Sequence, residues 1–192
     1  MADCQKTRLR VCYASPDSKG IYMNRLTWLA IAAVVSCFAA VSIAAGNPDA
    51  DFYKKAAEGG MAEVEMGKLA QDKSSNANVK HFGSMMVADH STANEKLKAI
   101  AAKKNVKLPT SPSVAQMAAK TKLEVMTGAT FDKSYIKGMV QDHQEDIQEF
   151  ETEANSGKDP DAKAFAAASL PMLKAHLKKI QAVAAAQGVD AP

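Results

Sequence analysis

The segment from Lys133 to His176, KSYIKGMVQDHQEDIQEFETEANSGKDPDAKAFAAASLPMLKAH, gives the clearest indication of the fold class. On both sides of the turn at residues 156–160, apolar residues recur every three or four positions, which is the spacing of one face of an α-helix. Asp159 followed by Pro160 is typical of a helix N-cap with proline at the first helical position. The stretch therefore predicts two long helices joined by a short turn, and such a pair must be antiparallel.

The same composition, rich in Ala, Lys, Glu, Met and Leu, extends back to residue 49 and predicts an all-α domain. SSNAN at residues 74–78 predicts a second tight turn, whereas NVKLPTSPS at residues 105–113 breaks the helical pattern with two prolines. Ser113 and Gln116 form a capping-box pair at the start of a short extra helix. The chain is therefore predicted to form a four-helix bundle with the short helix inside the long connection. The predicted helices are α1 at 49–73, α2 at 76–104, α3 at 113–126, α4 at 131–155 and α5 at 160–186.

The N-terminal residues predict an export segment. Residues 23–46 place a single arginine before a hydrophobic run at 26–45 that ends in small residues, which is the layout of a secretory signal. Three interpretations stay open: cleavage after Ala44 or Gly46, lipidation of Cys37 in the sequence VVSC, and an uncleaved membrane anchor at 26–45. Residues 1–22 have no such pattern, and we expect Met23 to be the natural start and residues 1–22 to be dispensable. The bundle domain is then predicted at 47–188, in the periplasm or cell envelope.

Charge and cysteine usage exclude several function classes. Residues 1–46 contain all the arginines and cysteines, and the remaining 146 residues contain 19 lysines and 19 acidic residues. A near-neutral domain without arginine argues against a nucleic-acid partner. A domain without cysteine fits an oxidising compartment and excludes disulfides, thiolate zinc sites and cysteine nucleophiles.

Four polar residues fall inside the predicted apolar stripes, one on each long helix. At 100° per residue, Glu63, His90, His143 and His176 face inward, whereas His81 faces outward. At a rise of about 1.5 Å per residue, Glu63 and His90 differ in height by only about 5 Å relative to their shared turn. His143 and His176 have a similar offset, so all four are predicted to lie in one layer near the middle of the bundle.

Burying a carboxylate and three imidazoles without partners would cost several kcal/mol. These residues must therefore pair with one another, bind water or bind a metal. Imidazole and carboxylate together form a common ligand set for Cu, Zn, Fe or Mn. We predict one transition metal ion at this layer, with no nucleotide or haem. The alternative is a structural polar layer that fixes the register of the helices in an interaction module of the envelope.

Aspartates and methionines accompany these histidines. Asp89 and Asp142 precede His90 and His143, and each could hold an imidazole N–H of a neighbouring helix or be a solvated flank. Methionine stands four residues before each inward histidine, where its sulfur could bind Cu(I) or simply fill core space. Asp146 and Tyr135 flank His143 on its stripe as candidate proton-passing or redox-active neighbours. The methionines are Met86, Met139 and Met172.

DFYKKAAEGGMAEVEMGKLA (51–70), VKHFGSMMVADH (79–90) and LPMLKAH (170–176) resemble a bacterial exported family, domain of unknown function 4142, whose members are often labelled outer membrane proteins. The resemblance covers residues 49–186 and implies a ferritin-like fold. It brings no established activity. Its recurring residues fall on Glu63, Asp89, His90, Asp142, His143, Pro171 and His176.

The sequence departs from ferritin-like di-iron proteins at the positions that matter for their metal site. Those proteins place a glutamate three residues before a ligand histidine on two helices. Here Val87, Val140 and Leu173 occupy the positions three residues before the inward histidines. A mononuclear, histidine-rich site is therefore favoured over a di-iron centre. No serine or cysteine nucleophile accompanies the histidines, so a hydrolase is disfavoured and any enzyme would be a metal-dependent oxidoreductase.

Overall fold

The computed structural model describes residues 47–192, and the regular secondary structure of that part is all helical, without strands. The predicted fold class is confirmed. The expectations for residues 1–22 and 23–46, including Cys37 and the hydrophobic run at 26–45, lie outside the described residues. The helices are α1 at Ala50–Lys73, α2 at Ala77–Lys104, α3 at Val114–Glu124, α4 at Gly128–Ser156 and α5 at Pro160–Ala186.

Local sequence signals account for most of the helix ends. The Asn76 side chain accepts hydrogen bonds from two backbone amides at the start of α2, and Ser113 with Gln116 forms the predicted capping box of α3. Asp159 caps α5 by accepting from the Asp161 amide. The start of α4 was predicted three residues too late. Phe131 is fully buried, and its amide donates to the Thr127 carbonyl, so the preceding turn is also helical.

Two apolar clusters fill the bundle and fix the directions of its helices. The first apolar cluster includes Met66, Ala70, Val79, Phe82, Phe131, Tyr135, Ile180 and Val183. The second apolar cluster includes Phe52, Tyr53, Leu97, Ala101, Phe150, Phe165 and Leu173.

The order in which each helix passes these clusters gives the topology. α1 and α5 run from the second cluster to the first, whereas α2 and α4 run from the first to the second. α1 packs against α2 and α4, and α5 packs against α4 and α2. All four neighbouring pairs are therefore antiparallel. The connection from α2 to α4 must return along the length of the bundle, as in ferritin-like folds with one long crossover.

The returning connection contains α3, which lies over α1 and α4. Lys120 of α3 forms ion pairs with Glu65 of α1 and Glu124 of its own helix, both at 3.2 Å. Lys73 also donates to the Glu124 backbone carbonyl. These contacts hold α3 across the seam between α1 and α4. Within residues 47–192, no helix is both long and apolar enough to cross a bilayer.

Candidate metal centre

The four inward polar residues are buried in one layer between the two apolar clusters. Glu63 is 4% exposed, His90 3%, His143 0% and His176 1%. The periodicity also placed His81 correctly, because that side chain is exposed. Each long helix therefore contributes one buried polar side chain to the middle of the bundle.

The three imidazoles converge on a single point. One ring nitrogen from each of His90, His143 and His176 lies within 4.8 Å of the corresponding atoms of the other two. Their ring centroids are 5.3 to 5.9 Å apart. This spacing brings the three nitrogens within reach of one ion with bonds of about 2.0–2.1 Å after small side-chain adjustments.

One nitrogen of each imidazole is held by an acceptor on the protein. His90 Nδ1 lies 2.7 Å from Glu63 Oε2, and His176 Nε2 lies 2.9 Å from Asp89 Oδ2. His143 Nδ1 donates to the Met139 carbonyl at 2.9 Å. Because carboxylates and carbonyls accept, the proton of each ring is on the held nitrogen. Such hydrogen bonds fix the orientation and tautomer of imidazoles that bind metals.

The opposite nitrogens have no partner. Within residues 47–192, His90 Nε2, His143 Nε2 and His176 Nδ1 are buried and lack a hydrogen bond. Glu63 Oε1 also lacks one, although it lies 3.4 Å from His143 Nε2. In the neutral rings these nitrogens bear lone pairs. The layer therefore contains three imidazole nitrogens and one carboxylate oxygen that form no hydrogen bond within the described residues and are available as metal ligands.

Burial and charge set the protonation of the layer. Burial, with the neighbouring imidazoles, lowers the pKa values of His143 and His176 despite the opposing acids. Burial also pulls down the pKa of His90, but the charge and hydrogen bond of Glu63 outweigh it and raise that pKa. Burial would raise the pKa of Glu63, yet the three imidazoles lower it, so Glu63 is ionised. Burial therefore favours the neutral form of His143 and His176, whereas Glu63 favours the protonated form of His90, whose Nε2 binds a metal only when deprotonated.

The two aspartates of the repeated Asp-His pattern have different surroundings. Asp89 accepts from His176, an imidazole on the neighbouring helix α5. Asp142 accepts no hydrogen bond from any imidazole of the described residues. It lies with Asp146 and Glu63 on the wall of a cavity, where burial first, and then Glu63, raises its pKa to about 7. Burial and Glu63 likewise raise the pKa of Asp146.

The methionines do not share one position relative to the layer. Met86 and Met139 are buried in the first apolar cluster with Met66. Met172 is half-buried and packs against the second cluster. Helical periodicity did not predict that the backbone carbonyl of Met139 accepts a hydrogen bond from His143. The spacing of four residues between them indicates this contact, since a helical side chain can reach the carbonyl one turn back.

Two cavities adjoin the layer. A small one of about 20 Å³ is lined by Glu63 and His90, with Phe165 and Leu173 of the second cluster, and it has room for about one water molecule. A larger one of about 260 Å³ lies among α1, α3 and α4. Gly59, Glu63 and Asp146 line both cavities, and of these Glu63 contacts the imidazoles directly. Tyr135 is fully buried, and its hydroxyl has no partner within the described part of the chain.

Comparison with known proteins agrees with this architecture. Residues 38–183 match the family described as Domain of unknown function (DUF4142), which is most of the chain, and the protein therefore belongs to that family. The fold is similar to the crystal structure of a DUF305 protein from Streptomyces coelicolor that is described as secreted, with a TM-score of 0.65 and 14% sequence identity. That similarity covers 76% of this chain and 96% of the other and shows a shared fold. No curated protein matches the chain.

Proposed function

We propose that this DUF4142 protein binds one first-row transition metal ion at His90, His143 and His176. The observation that supports this most directly is the convergence of three buried imidazole nitrogens that lack partners among the described residues. Each imidazole is also oriented by a hydrogen bond at its other nitrogen. Both features are typical of built metal sites, where the outer partners fix the ligands before the ion arrives.

The unpaired imidazole nitrogens of the layer destabilise the folded protein when no ion is bound. A buried polar nitrogen without a hydrogen bond costs about 1–3 kcal/mol, and this layer contains three of them among the described residues. A cation bound by all three nitrogens would remove this cost. Glu63 adds a negative charge beside them and offers Oε1 as a fourth donor.

The donor set indicates the class of metal. Imidazole nitrogen with one carboxylate oxygen suits Zn, Cu, Fe or Mn, and a single site of this composition differs from a carboxylate-rich di-iron centre. The methionine sulfurs of Met86, Met139 and Met172 would be needed for a soft Cu(I) site. Two of these methionines are buried in the first apolar cluster, where Met commonly fills core space. We therefore favour the imidazole nitrogens as the principal ligands.

We also propose that the domain is exported to the periplasm or cell envelope. The signal-like residues 23–46 and the absence of cysteine after residue 46 support this location. The DUF305 protein that shares the fold is described as secreted, which agrees with export. Attachment to the membrane through residues 26–45 remains part of the same proposal.

Metal analysis of the native protein tests the proposed function. The protein is purified without a polyhistidine tag, loaded separately with Zn²⁺, Cu²⁺, Fe²⁺ and Mn²⁺, and its bound metal is measured by inductively coupled plasma mass spectrometry. We expect about one ion per chain for at least one metal and its loss in the His90→Ala, His143→Ala double variant. His81→Ala removes an exposed histidine and should keep the ion. Absence of bound metal under every loading condition would overturn the proposal.

A second function is favoured by the hydrogen bonds that cross between helices. Glu63 of α1 holds His90 of α2, and Asp89 of α2 holds His176 of α5. These pairs would fix the helix register of a structural or interaction module of the envelope without any metal. The same experiment separates the two functions, because the structural layer predicts no bound ion and a melting temperature that is insensitive to metal.

A further inference from the structure

The cavity of about 260 Å³ connects the space beneath α3 with the buried layer. Its walls come from α1, α3 and α4, and the buried Glu63 is one of the residues that line it. Glu63 Oε1 is buried and has no hydrogen-bond partner in the region that the structure describes. The same carboxylate holds His90 through Oε2 and approaches His143 through Oε1. A solute that contacts Glu63 from this cavity is therefore one side chain away from two of the three imidazoles.

The wall of the cavity has one sign of charge. It contains four carboxylates and, among the described residues, no lysine, arginine or histidine. A cleft lined by one sign of charge raises the local concentration of the opposite ion and excludes ions of its own sign. The cavity therefore favours a cation over an anion. The carboxylates are Glu63, Asp142, Glu145 and Asp146.

A second opening near the layer has different chemistry. The groove between α2 and α5, of about 250 Å³, is lined by Asp89 and Lys96 together with neutral side chains. Its lining includes neither Glu63 nor an imidazole of the layer. Asp89, at its inner side, is already hydrogen-bonded to His176. This groove therefore lacks the uniformly acidic wall of the cavity beneath α3, because it pairs one carboxylate with one lysine.

The roof of the cavity belongs to the long connection. Ala115, Gln116 and Ala119 of α3 face the cavity. Ser113 donates to the Gln116 side-chain oxygen through its amide and its hydroxyl, which fixes that side chain. The exposed Ala119 is small, so the width of the opening depends on a methyl group rather than on a bulky side chain.

We propose that the cavity beneath α3 is the route by which a divalent cation enters the three-histidine layer, with the acidic side chains of the cavity wall attracting the ion and Glu63 passing it to the imidazoles. This inference rests on the proposed function, since it assumes that the layer binds a cation. It adds the side of the bundle from which the ion enters and the residues that favour a cation over an anion. It also gives the long α2–α4 connection a role as the roof of an access route.

Uptake kinetics of Co²⁺ test the route. Co²⁺ reports binding to imidazoles through its visible absorption, which stopped-flow mixing follows in time. In Ala119→Phe the new ring narrows the opening beneath α3 without touching the imidazoles. We expect both association and dissociation to slow by roughly tenfold or more, with an equilibrium affinity within about threefold of the natural protein, because a narrowed path affects both directions equally.

Ala168→Phe is the matched control, because Ala168 is an exposed alanine on the opposite groove between α2 and α5. It should leave Co²⁺ uptake unchanged. Slower uptake in this variant, with normal uptake in Ala119→Phe, would overturn the route. Ala115→Phe provides a second block from α3, and circular dichroism checks that each variant keeps its helices. Normal rates in both folded α3 variants would also overturn the route.

The charge of the wall is tested separately with Glu145→Gln, because Glu145 is the exposed carboxylate of the cavity lining. We expect a lower association rate, by roughly threefold to tenfold, and a weaker dependence of that rate on salt concentration. An unchanged rate and salt dependence would contradict the attraction of the cation by this wall. If the natural protein binds no Co²⁺ at equilibrium, the proposed function fails, whereas binding with unaffected kinetics in all variants rejects the route alone.

Discussion

The two nitrogens of each buried imidazole have separate tasks. One is held by a protein acceptor, and the other is buried without a hydrogen-bond partner among residues 47–192. Metal-binding histidines are commonly oriented in this way, and loss of the outer acceptor typically weakens metal binding by about 10–100-fold. The acceptors should therefore matter for affinity even though they do not touch the ion.

Asp89→Ala tests this at His176. The substitution removes the acceptor that lies 2.9 Å from His176 Nε2, so the ring can rotate and change its tautomer. We expect the Zn²⁺ affinity, measured by competition with a chromophoric chelator, to fall by about 10–100-fold. Glu95→Ala is the control, since Glu95 is an exposed carboxylate of the same helix whose ion pair is with Lys98. Equal affinities for both variants and the natural protein would show that Asp89 does not orient a ligand.

For single residues, the sequence predicts which polar side chains are buried but not which residues they pair with. Glu63, His90, His143 and His176 were recognisable because helical periodicity places each on an apolar stripe. The partner of Asp89 was not specified, since it depends on how far α2 and α5 are rotated and shifted against each other. Asp142, which precedes His143 as Asp89 precedes His90, lines the cavity beneath α3 instead of holding an imidazole. Two short strings with the same letters therefore acquire different roles from their tertiary surroundings.

At the scale of the elements, α1 and α2 make backbone contact at a pair of glycines. A Cβ atom at Gly83 would lie 2.6 Å from the Gly67 carbonyl oxygen, and a Cβ at Gly67 would lie 2.6 Å from that of Gly83. Both obstacles are backbone atoms, which cannot move without shifting a helix. The two glycines therefore set the close approach of the first helical pair beside the first apolar cluster.

Gly83→Ala should separate these helices and reduce the free energy of unfolding by about 1–3 kcal/mol, the usual cost of overpacking. Gly138→Ala is the matched control inside α4, because nothing lies within 4 Å of its Cβ position. That substitution should stabilise the protein by about 0.5–1 kcal/mol through the better helix propensity of alanine. Urea unfolding measures both. Destabilisation of similar size in the two variants would contradict a specific contact between α1 and α2.

Asp159 joins three elements at the other end of the bundle. It caps α5, accepts from the Tyr53 hydroxyl of α1 at 3.1 Å, and pairs with Lys104 of α2 at 2.9 Å. Burial opposes its ionisation, but these partners and Asn47 lower its pKa from 3.8 to about 2. A lowered pKa means that the ionised carboxylate stabilises the folded state above about pH 4. This contribution is lost as the pH falls towards 2.

Asp159→Ala should therefore reduce the free energy of unfolding at pH 7 by about 2–4 kcal/mol, from the lost cap and the unpaired Tyr53 hydroxyl. The charge-dependent part of the difference should shrink between pH 4 and pH 2. Asp161→Ala is the control, because Asp161 is exposed and pairs only with Lys104. Urea unfolding at several pH values gives both quantities. A difference that stays constant down to pH 2 would show that the ionised form has no special role.

The helices themselves were predictable because caps, turns and prolines mark their ends in the sequence. The start of α4 was placed late, since Thr127 forms no side-chain cap to mark it. The cavity beneath α3 was not predicted either. It arises where the returning connection crosses α1 and α4, and no local pattern specifies how closely a connection lies on the helices below it.

At the scale of the whole molecule, the polar layer divides the interior. The first and second apolar clusters lie on opposite sides of the three imidazoles, and every long helix passes through both clusters. The sequence predicted a common layer, but left open whether α1 and α4 are parallel or antiparallel. Long-range packing decides this, because Phe52 near the start of α1 contacts Phe150 near the end of α4, with ring centroids 5.1 Å apart.

Because the layer joins four helices, a metal ion bound there should stabilise the entire bundle. The unfolded chain cannot bring His90, His143 and His176 together, so the ion binds mainly to the folded state. At a free Zn²⁺ concentration 100 times the dissociation constant, linkage gives about 2.7 kcal/mol of stabilisation. For a domain of this size, that corresponds to a rise in melting temperature of roughly 5–10 °C.

Thermal unfolding followed by circular dichroism measures this rise, with Zn²⁺ added and then removed by a chelator. His143→Ala should abolish the rise because it removes the most deeply buried imidazole, whereas the exposed His81→Ala should retain it. The structural alternative makes the opposite prediction. If the layer only fixes helix register, the natural protein melts at one temperature with or without Zn²⁺, and loss of His143 lowers that temperature equally in both conditions. The metal-dependent part of the difference between the variants therefore distinguishes a binding centre from a polar layer that serves packing alone.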